Sequence, residues 1–206
     1  MASLLDHLIQ FVSLHPLLAY ATVFVAALLE AVPVIGSFVP GSSVIIGLSA
    51  FVAAGELNLA GVLASAIAGA VIGDGTAFLL GYIYQRRLLQ SWPLKSYPTI
   101  IARSETFFQE RGALAVLFAR FVPPVRAFVP VTAGALGMPP LRFYPTNIVA
   151  IALWASAHVL PGALAGTLWK RYGREIEHIV LPVLAVIFVI AAAAWFVRRR
   201  RALTSR

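Results

Sequence analysis

From Leu17 to Ala54 the chain runs for 38 residues with one formal charge, Glu30. Other stretches repeat the pattern: Leu57 to Gln85 holds only Asp74, Gly112 to Met138 only Arg120 and Arg126, and Ile179 to Val197 no charge at all. Charged residues make up about a quarter of an ordinary soluble domain, and here they make up 12% of 206 residues. The runs are far longer than the roughly ten-residue alternating segments of an outer-membrane barrel. Lipid is therefore crossed by helices, which satisfy their own backbone groups. This predicts an all-α integral membrane protein, a single membrane domain over residues 1–206, and excludes a soluble enzyme fold.

The chain has no cysteine, which removes disulfides, thiolate metal sites and cysteine nucleophiles. Its net charge is +8, spread over short loops and one run, Arg198 to Arg201. Beside an apolar helix such a run reads as a cytoplasmic anchor facing anionic membrane lipids, with no nucleic-acid partner. Residues 1 to 10 contain no Lys or Arg, so they lack the basic start of a cleaved signal peptide and are expected to be retained.

Punctuation by proline and glycine divides the chain further. Residues 1–16 form an amphipathic opening. Residues 17–54 exceed one span of about 20 residues but fall short of two spans and a loop; Pro33, Gly36, Pro40 and Gly41 break their middle. One span or hairpin arm, a break and a first re-entrant region are expected there, because irregular backbone at membrane depth persists only where it lines a cavity or is buried in protein. Residues 57–85 read as a full span, with Ala66, Gly69, Ala70, Gly73 and Gly81 spaced to admit a close neighbour. Residues 98–111 read as one interfacial helix lying on the membrane surface, with Ile100, Ile101, Phe107 and Phe108 on one face.

Residues 112–138, interrupted by Pro123, Pro124, Pro130, Gly134 and Gly137, read as a second re-entrant hairpin. Spans at 141–169 and 179–197 and a basic cytoplasmic tail at 198–206 complete the chain, giving about three to four full spans. A cytoplasmic C-terminus puts Arg86, Arg87, Lys95, Arg103, Arg111 and Arg142 inside and leaves Lys170, Arg171 and Arg174 outside, in accord with the positive-inside rule. The two broken segments then enter from opposite faces, as in the inverted repeats of transporters, whose sites lie at the midplane. The side of the N-terminus stays open.

A charge at mid-membrane costs about 2.5 to 3.5 kcal/mol on insertion scales, so Glu30, Asp74, Arg120 and Arg126 together cost about 10 to 14 kcal/mol before pairing. Mutual neutralisation is one explanation, with the ion pairs holding the hairpins together. The other begins with Pro123 and Pro124, which break the helix that would set Arg120 and Arg126 about 120° apart and let both face one cavity. Two guanidinium forks suit a phosphate. For phosphate to enter, Glu30 or Asp74 must move away or take up a proton, which makes them candidates for proton coupling. His158 is the one histidine in these segments, a core residue or a proton relay, while Trp92, Tyr144, Trp169, Tyr172 and Trp195 read as interfacial anchors.

Three motifs resemble the DedA family, also called SNARE-associated or VTT-domain proteins: Glu30 followed ten residues later by Pro40-Gly41; Gly69-x-x-x-Gly73-Asp74; and Phe118-Ala119-Arg120-Phe121-Val122-Pro123-Pro124-Val125-Arg126 with Ala133-Gly134 beyond it. The similarity runs over about residues 17 to 170. It implies a bacterial inner-membrane protein with two opposed re-entrant hairpins that returns undecaprenyl phosphate across the membrane in dependence on proton motive force; eukaryotic relatives scramble phospholipids. The family's functional acids and arginines carry over to Glu30, Asp74, Arg120 and Arg126. Ser42 stands where an acidic residue often follows the Pro-Gly, and Phe78 where tyrosine is frequent.

The expected partner is thus a polyprenyl phosphate or phospholipid, carried without a cofactor or metal, by a chain that has the option of forming a homo-oligomer. A broad scramblase needs the same cavity without headgroup selectivity. A proton or small-cation exchanger would use Glu30 and Asp74 with structural arginines. A lipid phosphatase lacks a visible nucleophile and base or a metal cluster, so no enzymatic activity is expected.

Overall fold

The computed structural model describes residues 2–91 and 94–204, the backbone alone at 2–6, 8, 37, 86, 113, 123, 124 and 173–204. Trp92 lies outside the described residues, and the side chains of Arg86, Pro123, Pro124, Trp195 and Arg198 to Arg201 are likewise outside the description. Every described element is helical: α1 (Ala2–Leu14), α2 (Pro16–Ala31), α3 (Gly41–Ser49), α4 (Phe51–Ala54), α5 (Leu59–Leu89), α6 (Pro98–Arg111), α7 (Ala113–Ala119), α8 (Pro123–Arg126), α9 (Val129–Ala135) and α10 (Pro140–Thr204). The chain divides into two compact units, Met1–Gly166 and Thr167–Arg206, and α10 contributes residues to both.

In the first unit the breaks fall where the backbone chemistry requires them. Helix α2 opens on Pro16, which loses no helical donor there, and stops where Val32 turns extended ahead of Pro33. Val34 then takes φ 69° and ψ −59° beneath a 2.9 Å hydrogen bond from the Ile35 amide to the Pro33 carbonyl. This is the strained form of the three-residue γ-turn, costly for a β-branched residue. A 3-10 turn, Ile35–Ser37, leads to α3. Helix α5 is capped by Asn58, whose Oδ1 accepts from the Ala60 amide at 2.8 Å; its helical geometry lapses at Gln85, φ 50°.

Close backbone approach fixes the packing. A Cβ on Gly73 would meet Ala31 at 2.7 Å and the Leu28 carbonyl at 2.8 Å, so α5 lies directly on α2. Farther along α5, Gly81 faces the Val131 carbonyl and Gly134 faces the Phe78 carbonyl, so α5 and α9 interlock through reciprocal glycines. Gly162 of α10 faces Ile46 and Ser49 of α3. The resulting core contains Val23, Ala27, Ile45, Val62, Ala66, Ala70, Ile151 and Trp154.

Two helices among the described residues, Leu59–Gln85 and Pro140–Tyr172, are long and apolar enough to cross a membrane; the expected span 179–197 falls where only backbone is described, and that backbone is helical. Helix α6 turns its apolar face to protein: Ile101 is buried against Leu89, Leu94 and Phe128, while Phe107 and Phe108 pack on the cluster of Val116, Val125 and Val129. Its charged side, with Arg103 and Glu110, is exposed. Tyr144 is half-buried and packs on two rings, its ring centroid 5.8 Å from Phe78 and 5.4 Å from Phe143. In the second unit, residues 170–178, between the expected spans 141–169 and 179–197, are helical; Lys, Arg and Glu are good helix formers, and the single Gly173 does not interrupt them. Trp169 and Tyr172 are exposed.

Candidate functional site

The α2–α5 contact carries Glu30 and Asp74 to one place. Glu30 lies in the last turn of α2, and Asp74 follows Gly73 directly. The interlock of Gly81 with Val131 and of Gly134 with Phe78 then draws the second broken segment onto α5. Arg120 caps the C-terminal end of α7, and Arg126 ends α8, where cations suit the helix termini. Between them the chain makes one non-helical turn, with Val122 extended before Pro123.

The four charges form two ion pairs, nested in the sequence. Arg120 Nη1 donates to Asp74 Oδ2, and Arg126 Nη2 pairs with Glu30 Oε1. The Glu30–Arg126 pair ties the two broken segments together, and the Asp74–Arg120 pair ties the second of them to α5. Ser42 Oγ also donates to Glu30 Oε1 at 2.7 Å. Gly41 lies so close that a Cβ would stand 2.7 Å from Glu30 Oε2, while Pro40 precedes α3 and accepts at its carbonyl from the Ser43 and Val44 amides. Pro123 and Pro124 open α8.

The structure thus brings all four predicted charges to one cavity, lined also by Ala27, Ala31, Ala127 and Trp154. Its volume is about 10 Å³, room for about one water and too small for a phosphate while both pairs are closed. Glu30 Oε2, Asp74 Oδ1 and Arg120 Nε remain buried without hydrogen-bond partners, so the site holds unspent bonding capacity. The arginines are not sealed in: Arg126 keeps 16% of its side chain accessible and Arg120 keeps 9%, against 1% for Asp74. No group of acidic and histidine side chains suited to a metal ion occurs among the described residues.

Sequence reasoning missed two residues here. Trp154 sits with its ring centroid 4.7 Å from Arg120 Cζ and 5.8 Å from Arg126 Cζ. Asn147, buried seven residues earlier on the same helical face, stands beside Asp74. A polar amide at helical spacing from a tryptophan inside an apolar span was the available signal. His158 lies behind Trp154 and outside the cavity lining, its Nδ1 hydrogen-bonded at 2.7 Å to the Trp154 carbonyl.

A family model described as the VTT domain matches residues 39–164. The chain belongs to the VTT-domain, or DedA, family. It is similar to the inner membrane protein YabI of Escherichia coli, 32% identical over 166 residues, covering 81% of this chain and 64% of YabI. To the uncharacterized membrane protein Rv2637 of Mycobacterium tuberculosis it is 31% identical over 187 residues, 88% of this chain and 84% of the relative. To the E. coli protein DedA it is 24% identical over 199 residues, 95% and 90% of the two chains. No solved structure matches. The family assignment makes this a membrane protein, in keeping with its apolar helices. The matched VTT region contains Asp74, Arg120, Arg126 and Trp154; Glu30 lies nine residues before it.

Proposed function

We propose that this chain is a carrier of an anionic lipid, a polyprenyl phosphate of the undecaprenyl phosphate type, across the bacterial inner membrane, and that proton uptake accompanies the headgroup. The observation that carries this reading is the pair of guanidiniums converging on one cavity with buried carboxylates in the place of phosphate oxygens. A carboxylate on an arginine fork mimics phosphate on the same fork. With two positive and two negative groups the closed site is neutral, so a phosphate entering without compensation leaves it with excess negative charge in a medium of low dielectric constant. A proton on Glu30 releases Arg126 and offsets that charge. Glu30 and Arg126 open first, because Arg126 is the more accessible arginine and Ser42 remains to hold the Glu30 side chain.

The broken segments suit two opposed re-entrant hairpins. Helix α2, at 16 residues, is about 24 Å long and α7, at 7 residues, about 10 Å, so neither crosses the roughly 30 Å hydrocarbon layer alone. In this reading the protein is multi-pass with its C-terminus in the cytoplasm and performs no covalent chemistry.

The test is flux in proteoliposomes. Polyprenyl phosphate should cross faster than phosphatidylcholine, and a pH gradient should accelerate it. Equal flux of both lipids, indifferent to pH, makes the protein a broad scramblase; cation flux that survives loss of both arginines makes it an exchanger. Either result rejects the proposal.

A further inference from the structure

Among the described residues lining the cavity, Trp154 is the one large side chain that charge pairing leaves unexplained. It is 1% exposed, yet its indole N–H has no acceptor, although a buried tryptophan ordinarily places that donor on a partner. The same side chain lines the cavity together with both carboxylates and both guanidiniums. Its ring attracts two cations at once, at 4.7 Å and 5.8 Å. The ring is also braced from behind by His158, 4.9 Å away between centroids, and α10 is seated against α3 through Gly162. A residue needed only to fill space would be leucine or phenylalanine, with no donor left unsatisfied.

We infer that Trp154 is a binding residue of the site: its N–H donates to an oxygen of the anionic headgroup, and its ring keeps the two guanidiniums side by side once their carboxylates let go. The inference rests on the carrier reading above and adds to it a neutral third donor. Without a shared partner, two neighbouring guanidiniums repel as soon as a carboxylate is protonated; the negative face of the indole offsets that repulsion without competing for the phosphate. Because an indole offers a donor and no acceptor, it favours a phosphate oxygen over a cation.

The test uses geranylgeranyl phosphate as the probe and geranylgeraniol as the same chain without the anion, added to the full-length protein in detergent. The chain has four tryptophans, so W92F/W169F/W195F leaves Trp154 as the sole emitter. The phosphate should shift its emission and the alcohol should not. W154F, which keeps a ring and loses the N–H, should bind the phosphate about tenfold more weakly, the scale of one buried hydrogen bond to a charged group, and W154L more weakly still. If the wild-type protein binds the phosphate no better than the alcohol, the carrier reading falls and this inference with it. If the wild type discriminates but Trp154 emission does not respond, or W154F binds as tightly as wild type, only the assignment of Trp154 is overturned. The emission measurement leaves Trp154 in place and decides the matter even where W154F fails to fold.

Discussion

The two ion pairs differ in what surrounds them, and that difference predicts different mutational costs. Asp74 is 1% accessible and its partner Arg120 9%; removing Arg120 strands a carboxylate in the interior. Arg120→Ala should cost about 3–5 kcal/mol, the range for breaking a buried pair, and Asp74→Leu with Arg120→Leu together should recover most of it. Arg126→Ala leaves Glu30 with the Ser42 hydroxyl still donating and should cost less, about 1–3 kcal/mol. Thermal unfolding in detergent checks the order: a lower midpoint for Arg126→Ala than for Arg120→Ala would contradict it. The cost of burying charge made the four ionisable residues legible in the sequence. Which carboxylate meets which guanidinium was not legible, since pairing depends on how α5 packs between α2 and α9. Trp154 escaped notice because a tryptophan in an apolar span counts as one more apolar residue until its neighbours are known.

At the level of elements, the site is assembled by backbone contacts that no side chain can replace. Gly134 of α9 meets the Phe78 carbonyl and would place a Cβ 2.7 Å from the Tyr82 amide. Gly134→Ala should therefore force α9 off α5, costing about 1–3 kcal/mol as overpacking does, and should pull Arg120 from Asp74. Gly47 in α3 has open space around it, so Gly47→Ala should instead stabilise by up to about 1 kcal/mol. A comparison of their melting temperatures separates close approach from helix propensity; equal shifts would refute it. Proline and glycine announced the breaks after Glu30 and Arg120. The apolar stripe of α6 was equally visible, and protein buries its Ile101 and half-buries Ile100, Phe107 and Phe108.

For the whole molecule, the central quantity is the charge balance of a neutral, water-sized site. Linkage requires that if headgroup binding takes up a proton, affinity rises as pH falls through the range of that uptake. Glu30→Gln removes the proposed proton-coupling carboxyl while keeping its shape; binding should then lose its pH dependence while the protein still folds, as titration of a polyprenyl phosphate at several pH values would reveal. Persistence of the wild-type pH profile in this variant would exclude Glu30 as the coupling group. The most direct measurement of the central claim is native mass spectrometry of the gently extracted protein. The account predicts a retained polyprenyl phosphate that disappears in Arg126→Ala. Absence of that lipid from the wild-type protein, or its undiminished retention by Arg126→Ala, would contradict it.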